Sequence, residues 1–175
     1  MILTIHRGTH EIGGSCVEIC TDKAKILIDL GMPLDYDKHT TEEQTQIRSD
    51  AAEWCKGVDA LFLSHAHADH YGFLDLLTQD TPIYATEETF LMLALDGILG
   101  DDPTEHLEKH TLKSGQSCEV ADTKVTAYTV DHSAYGACAY LIECDGKRIL
   151  YTGDIRVSGV EGVLYRDLPK DVAHL

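Results

Sequence analysis

The heptapeptide Ser64-His65-Ala66-His67-Ala68-Asp69-His70 follows directly on the apolar run 58–63 and precedes a short amphipathic stretch, 71–77. Four ligand-type side chains in six positions, at a strand-to-helix junction, restrict the fold more than any other feature. In an extended loop, residues two apart project to the same side, so His65 and His67 can reach one metal ion together. Asp69 and His70 turn the other way as the helix begins. Imidazole suits zinc and iron, and a carboxylate adds a hard ligand that can bridge or hold a second ion. The alanine spacers leave room for a coordination sphere.

The surrounding pattern supplies strands on both sides of this junction. Residues 2–5, 15–20 and 24–29 read as an opening β-meander, with Gly8, Gly13 and Gly14 marking the first turn. Glycine pairs are common in hairpins, so Gly13 and Gly14 carry little further information. Residues 41–55 are helix-compatible, with Gly57 as the stop, and 58–63 reads as a buried strand. A strand at 82–85 leads into a helix from Thr86, a fair N-cap, to about Leu99. The stretch 100–110 is acidic and loop-like, broken by Asp101-Asp102-Pro103. Strands follow at 124–130, 138–143 and 148–151, the last two joined by the turn 144–147. This order predicts an α/β (α+β) fold of mixed sheets with helices packed outside.

At 175 residues the chain has the size of one domain, 1–175. No run of about eighteen apolar residues is available for a membrane span. The first residues lack the pattern of a secretory signal, which makes the cytoplasm the expected compartment. Six cysteines without a CxxC pair are then expected as reduced, mostly buried thiols. Fourteen Lys and Arg stand against 30 Asp and Glu, a net charge of −16. That balance argues against a broad basic surface tracking phosphates. A nucleic acid substrate is still compatible with it, because metal ions and helix N-termini bind phosphate and another segment can supply a basic groove.

Two more residues stand in the same strand-end relation as the cluster: His132, in Val130-Asp131-His132-Ser133, and Asp154, in Tyr151-Thr152-Gly153-Asp154. Alone, His132 reads as a surface loop residue and Asp154 as a turn former. Taken with the cluster, they resemble in order and context the metal-site pattern of the metallo-β-lactamase superfamily. The resemblance implies an αββα sandwich, incomplete at the C-terminus, in which His65, His67 and His132 hold one metal. Asp69 and His70 hold a second, with Asp154 bridging. An aspartate in the bridging position resembles the hydrolase and nuclease branches.

The segments 8–19 and 26–31 are similar to the opening of the β-CASP and ribonuclease J-like RNA-processing nucleases. Asp29 would then orient a ligand histidine through its second N–H, a need that ligating imidazoles generally have. The resemblance further implies two divalent ions, zinc first with manganese or iron as alternatives, and a bridging water of lowered pKa. Asp69 would serve catalysis by orienting or deprotonating that nucleophile. The family's final histidine ligand lies beyond Asp154, and His174 is a poor match to it. The β-CASP insertion and the family's closing strands are expected to be absent.

The leading expectation is a metal-dependent phosphodiesterase acting on RNA. The alternatives are a small-molecule hydrolase of thioesters, lactones or phosphoesters, and a non-catalytic metal-binding lobe that needs a partner. An open sheet edge would favour a homo-oligomer.

Overall fold

The computed structural model describes residues 1–98, 102–156 and 165–174. The first sheet has six strands in chain order: β1 (Ile2–Arg7), β2 (Cys16–Cys20), β3 (Lys25–Ile28), β4 (Ala60–Phe62), β5 (Pro82–Ala85) and β6 (Glu108–Thr111). Its first three strands form the antiparallel meander, and the pairs from β3 to β6 are parallel. The change of direction follows from the connections, because helices α1 (Thr41–Trp54), α2 (Ala68–Tyr71) and α3 (Glu87–Ile98) interrupt the later strands. The second sheet holds β7 (Ser117–Val120), β8 (Thr123–Thr129), β9 (Cys138–Cys144), β10 (Lys147–Tyr151) and β11 (Ala173–His174), in the spatial order β11-β10-β9-β8-β7.

Alternation along the strands divides the apolar residues among three layers. Val17, Ile19, Ile26, Ile28 and Phe62 of the first sheet meet Val125, Ala127, Tyr140, Ile142 and Ile149 of the second. On the other face, Leu27, Leu61, Leu63 and Ile83 pack with Ala51, Phe73, Phe90 and Leu93 of the helical side. A smaller cluster, including Val130, Ala139, Leu141, Leu150 and Leu168, covers the outside of the second sheet. Each fully buried Leu, Ile or Phe contributes roughly 1.5–3 kcal/mol, so both faces of the first sheet are committed.

Local chemistry sets the helix starts. Thr40 and Glu43 form a capping box at α1, and the Thr86 hydroxyl accepts from the Thr89 amide at 3.1 Å at α3. The β9–β10 turn places Asp145 and Gly146 at φ 50° and 69°, the left-handed pair of a type I′ hairpin.

Four details differ from the sequence reading. Helix α2 begins at Ala68, so Asp69 and His70 sit in its first turn, and 74–76 is a separate 3-10 turn where one helix over 71–77 is expected. The 100–110 stretch yields part of β6, and β7 and β11 carry no strand signal in the sequence. β6 and β7 are edge strands; β6 is largely exposed and has no apolar face to announce it, whereas β7 turns only Cys118 and Val120 towards the core, too short an alternation to stand out. β11, two residues long, pairs in parallel with β10. The six thiols are unpaired, with three fully buried and three half-buried. No helix among the described residues is long and apolar enough to cross a membrane.

Candidate metal centre

The ends of β3, β4, β8 and β10 meet at one edge of the sandwich, bringing together side chains distant in sequence. The Ser64 carbonyl, just past β4, accepts from the Cys138 amide at 2.9 Å, tying the first sheet to the second. Tyr140 donates its hydroxyl to the Leu63 carbonyl at 2.8 Å. The segment after β3 lies against α2: Leu30 N–H donates to the His70 carbonyl at 2.8 Å, Met32 N–H to Ala68 at 3.1 Å. Gly31 permits this approach, since a Cβ there would stand 1.7 Å from the Asp69 carbonyl oxygen.

Asp29 is the hub of the site. It adopts φ 58° and is fully buried. Its Oδ1 accepts from the Ser64 amide at 2.7 Å. Its Oδ2 accepts from the Ser64 hydroxyl at 2.7 Å, His70 Nδ1 at 2.6 Å and the Tyr151 hydroxyl at 2.6 Å. Burial opposes its charge, but His70 and these donors outweigh it and hold the carboxyl below its ordinary pKa. Burial likewise opposes protonation of His70, and the Asp29 charge and hydrogen bond outweigh it and raise its pKa.

The hub also sets tautomers. Because the Ser64 hydroxyl gives its proton to Asp29, it accepts from His65 Nδ1 at 2.9 Å, which frees the His65 Nε2 lone pair. Burial first, and then the neighbouring His70, lower the His65 pKa to about 3, so its ring is neutral as a metal ligand requires. His132 is also lowered, chiefly by burial.

His65 Nε2 lies 3.1 Å from His67 Nδ1, which lies 3.2 Å from His132 Nε2. A tetrahedral ion with bonds of about 2.0–2.1 Å spaces its ligand nitrogens about 3.3 Å apart. The three histidines therefore fit a metal ion, and Asp154 completes a group whose ligand atoms all lie within 4.8 Å of one another. Asp154 faces two ways: Oδ2 is 3.6 Å from His132 Nε2, and Oδ1 is 3.6 Å from His70 Nε2. Asp69 lies outside that four-residue group, its Oδ2 3.9 Å from His70 Nε2. His174 lies in β11, paired with Leu150.

Some contributors escaped the sequence reading. Ser64 and Tyr151 bind Asp29, but a serine and a strand-end tyrosine carry no ligand signature. Gly13, at φ 79°, packs where a Cβ would be 2.9 Å from Asp69 Oδ2, so it has a specific place beside the site. Gly153 does the same against Ser64, at 3.0 Å.

The beta-lactamase superfamily domain matches residues 25–168. The chain belongs to the metallo-β-lactamase superfamily, whose fold it shares. It is 34% identical over 98% of its length to an RNase J-like protein of Methanocaldococcus jannaschii, of which it spans 39%. It is 30% identical over 88% of its length to transcription termination factor FttA of Methanothermobacter thermautotrophicus, of which it spans 27%. A solved structure of a protein of unknown function from Enterococcus faecalis V583 matches with TM-score 0.75 and 28% identity, over 89% of this chain and 43% of that one.

Proposed function

We propose that the chain is the metal-binding catalytic part of a ribonuclease that hydrolyses phosphodiester bonds, with zinc as the first choice of metal. The observation that carries this reading is the approach of His67 Nδ1 to both His65 Nε2 and His132 Nε2 at 3.1 and 3.2 Å, within a group of ligand atoms no more than 4.8 Å apart, with Asp154 turned towards both His132 and His70. His65, His67 and His132 would hold one ion, Asp69 and His70 a second, and Asp154 both. Bound ions would supply Lewis acidity and a water acidified towards neutrality. The RNA assignment draws support from the names of the relatives.

The chain's own residues divide the remaining work. Asp29 and Ser64 hold His65 and His70 by their Nδ1 protons and aim both Nε2 atoms into the cleft. Asp69 stands at the cleft edge, where its carboxylate would orient the attacking water and accept its proton. Metal at His70 Nε2 would displace the proton that Asp29 favours there, so binding should release protons.

Elemental mass spectrometry on the purified protein and on His67→Ala, beside cleavage of labelled RNA, tests this reading. About two equivalents of metal, reduced in the variant, with RNA cleaved only by the loaded wild type, is the expected result. Less than half an equivalent, unchanged by the substitution, would refute it.

A further inference from the structure

Two arginines stand on segments that adjoin this centre. Arg7, at the end of β1, lines a groove of about 300 Å³ with Ile5, Ser15, Val17 and Tyr151, whose hydroxyl reaches Asp29. A Cβ on Gly14 would stand 3.4 Å from Arg7 Nε, and one on neighbouring Gly13 would stand 2.9 Å from Asp69 Oδ2. Adjacent glycines of one loop thus approach Arg7 and Asp69. Arg156 lies on the other side, two residues beyond Asp154. Its backbone N–H donates to the Asp131 carbonyl at 2.7 Å, and its Nη1 is 3.6 Å from Asp131 Oδ1, next to His132.

Both guanidiniums face carboxylates in a manner a phosphate can replace. Glu11 takes Arg7 by a two-pronged contact, Nε to Oε1 at 3.0 Å and Nη2 to Oε2 at 2.6 Å. That fork is the geometry in which Arg recognises phosphate. Glu11 is carried on a loop with left-handed glycines at 8, 13 and 14. The Arg156 side chain is 58% exposed, and among the described residues its guanidinium meets Asp131 at 3.6 Å. In a chain of net charge −16, an anionic strand meets general repulsion and needs local cations to dock.

Resting on the nuclease reading, we propose that Arg7 and Arg156 form a phosphate clamp for the nucleotides either side of the scissile bond, with Glu11 occupying the Arg7 half until substrate displaces it. Both arginines are positioning residues, acting on phosphates that do not react.

The test is fluorescence anisotropy of a labelled single-stranded oligoribonucleotide in EDTA, over a salt series, with wild type, Arg7→Met, Arg156→Met, the double variant and Glu11→Gln. RNA cleavage by metal-loaded wild type is measured in parallel. Each arginine replacement should weaken binding about tenfold at low salt and raise KM more than it lowers kcat. The double variant should flatten the salt slope by about 1.4, at roughly 0.7 per phosphate contact on a single strand. Glu11→Gln should tighten binding severalfold. RNA cleavage by wild type with unchanged affinity and slope in the double variant would overturn the clamp and leave the nuclease reading standing. A wild type that neither binds nor cleaves RNA would overturn both. Weaker binding by Glu11→Gln would remove Glu11 from its role as the phosphate's stand-in.

Discussion

His70 hangs from Asp29 directly and His65 through the Ser64 hydroxyl, and both rings are almost completely buried. His67 and Asp154, on the opposite side, meet chiefly other residues of the site, and the Asp154 side chain is 50% exposed. The buried side is therefore part of the folding core, where a lost partner strands polar atoms in low dielectric. The open side should be separable from the fold. Its side chains can change with little loss of stability while the site's capacity to hold metal collapses.

Asp29→Ala should break the buried side most severely. It removes the acceptor for the Ser64 amide and hydroxyl, His70 and Tyr151 together. Deleting one partner of a buried ion pair costs about 3–5 kcal/mol. Urea unfolding of the metal-free protein should show a midpoint lowered to match, and a wild-type midpoint would mean the hub carries no structural load. Gly31→Ala comes next. Its Cβ would stand 1.7 Å from Asp69 O and 2.4 Å from Asp69 C, both backbone atoms, so α2 or the segment after β3 must shift. A loss of about 3 kcal/mol is expected at such an overpacked position, with metal content falling as Asp69 and His70 move.

The two sides also differed in how legible they were. The ligand-type residues could be read because metal chemistry confines them to a few residue types at strand ends, and His65, His67, His132 and Asp154 are brought together. The Asp29 hub was foreseen only through a resemblance, and its donors Ser64 and Tyr151 not at all, since hydroxyl groups serve many purposes in any sequence. Gly31 belongs with them, because its necessity comes from a chain segment some forty residues away. Among the strands, those with two apolar faces or sustained alternation are evident, whereas β6 owes its existence to backbone pairing with a neighbour already in place, and the alternation of β7 covers only four residues. An edge strand such as β6 has no pattern of its own to read.

The two smallest expected effects define the boundary between the sides. Tyr151→Phe removes one hydroxyl donor from Asp29 Oδ2 and leaves Ser64 and His70 in place, so about 1.5–3 kcal/mol should be lost, the usual range for a hydrogen bond to a charged group. His67→Ala removes a half-buried ring whose hydrogen bonds, among the described residues, run to the histidine cluster, so the metal-free protein should unfold within about 0.5 kcal/mol of wild type. Its metal content should nevertheless fall well below that of Tyr151→Phe. The two variants together decide whether the comparison holds: stability must follow the hub and metal must follow the open side. If His67→Ala instead cost more stability than Tyr151→Phe, the three converging nitrogens would be a packed structural cluster, and the separation of fold from site would fail at the residue where it is expected to be clearest.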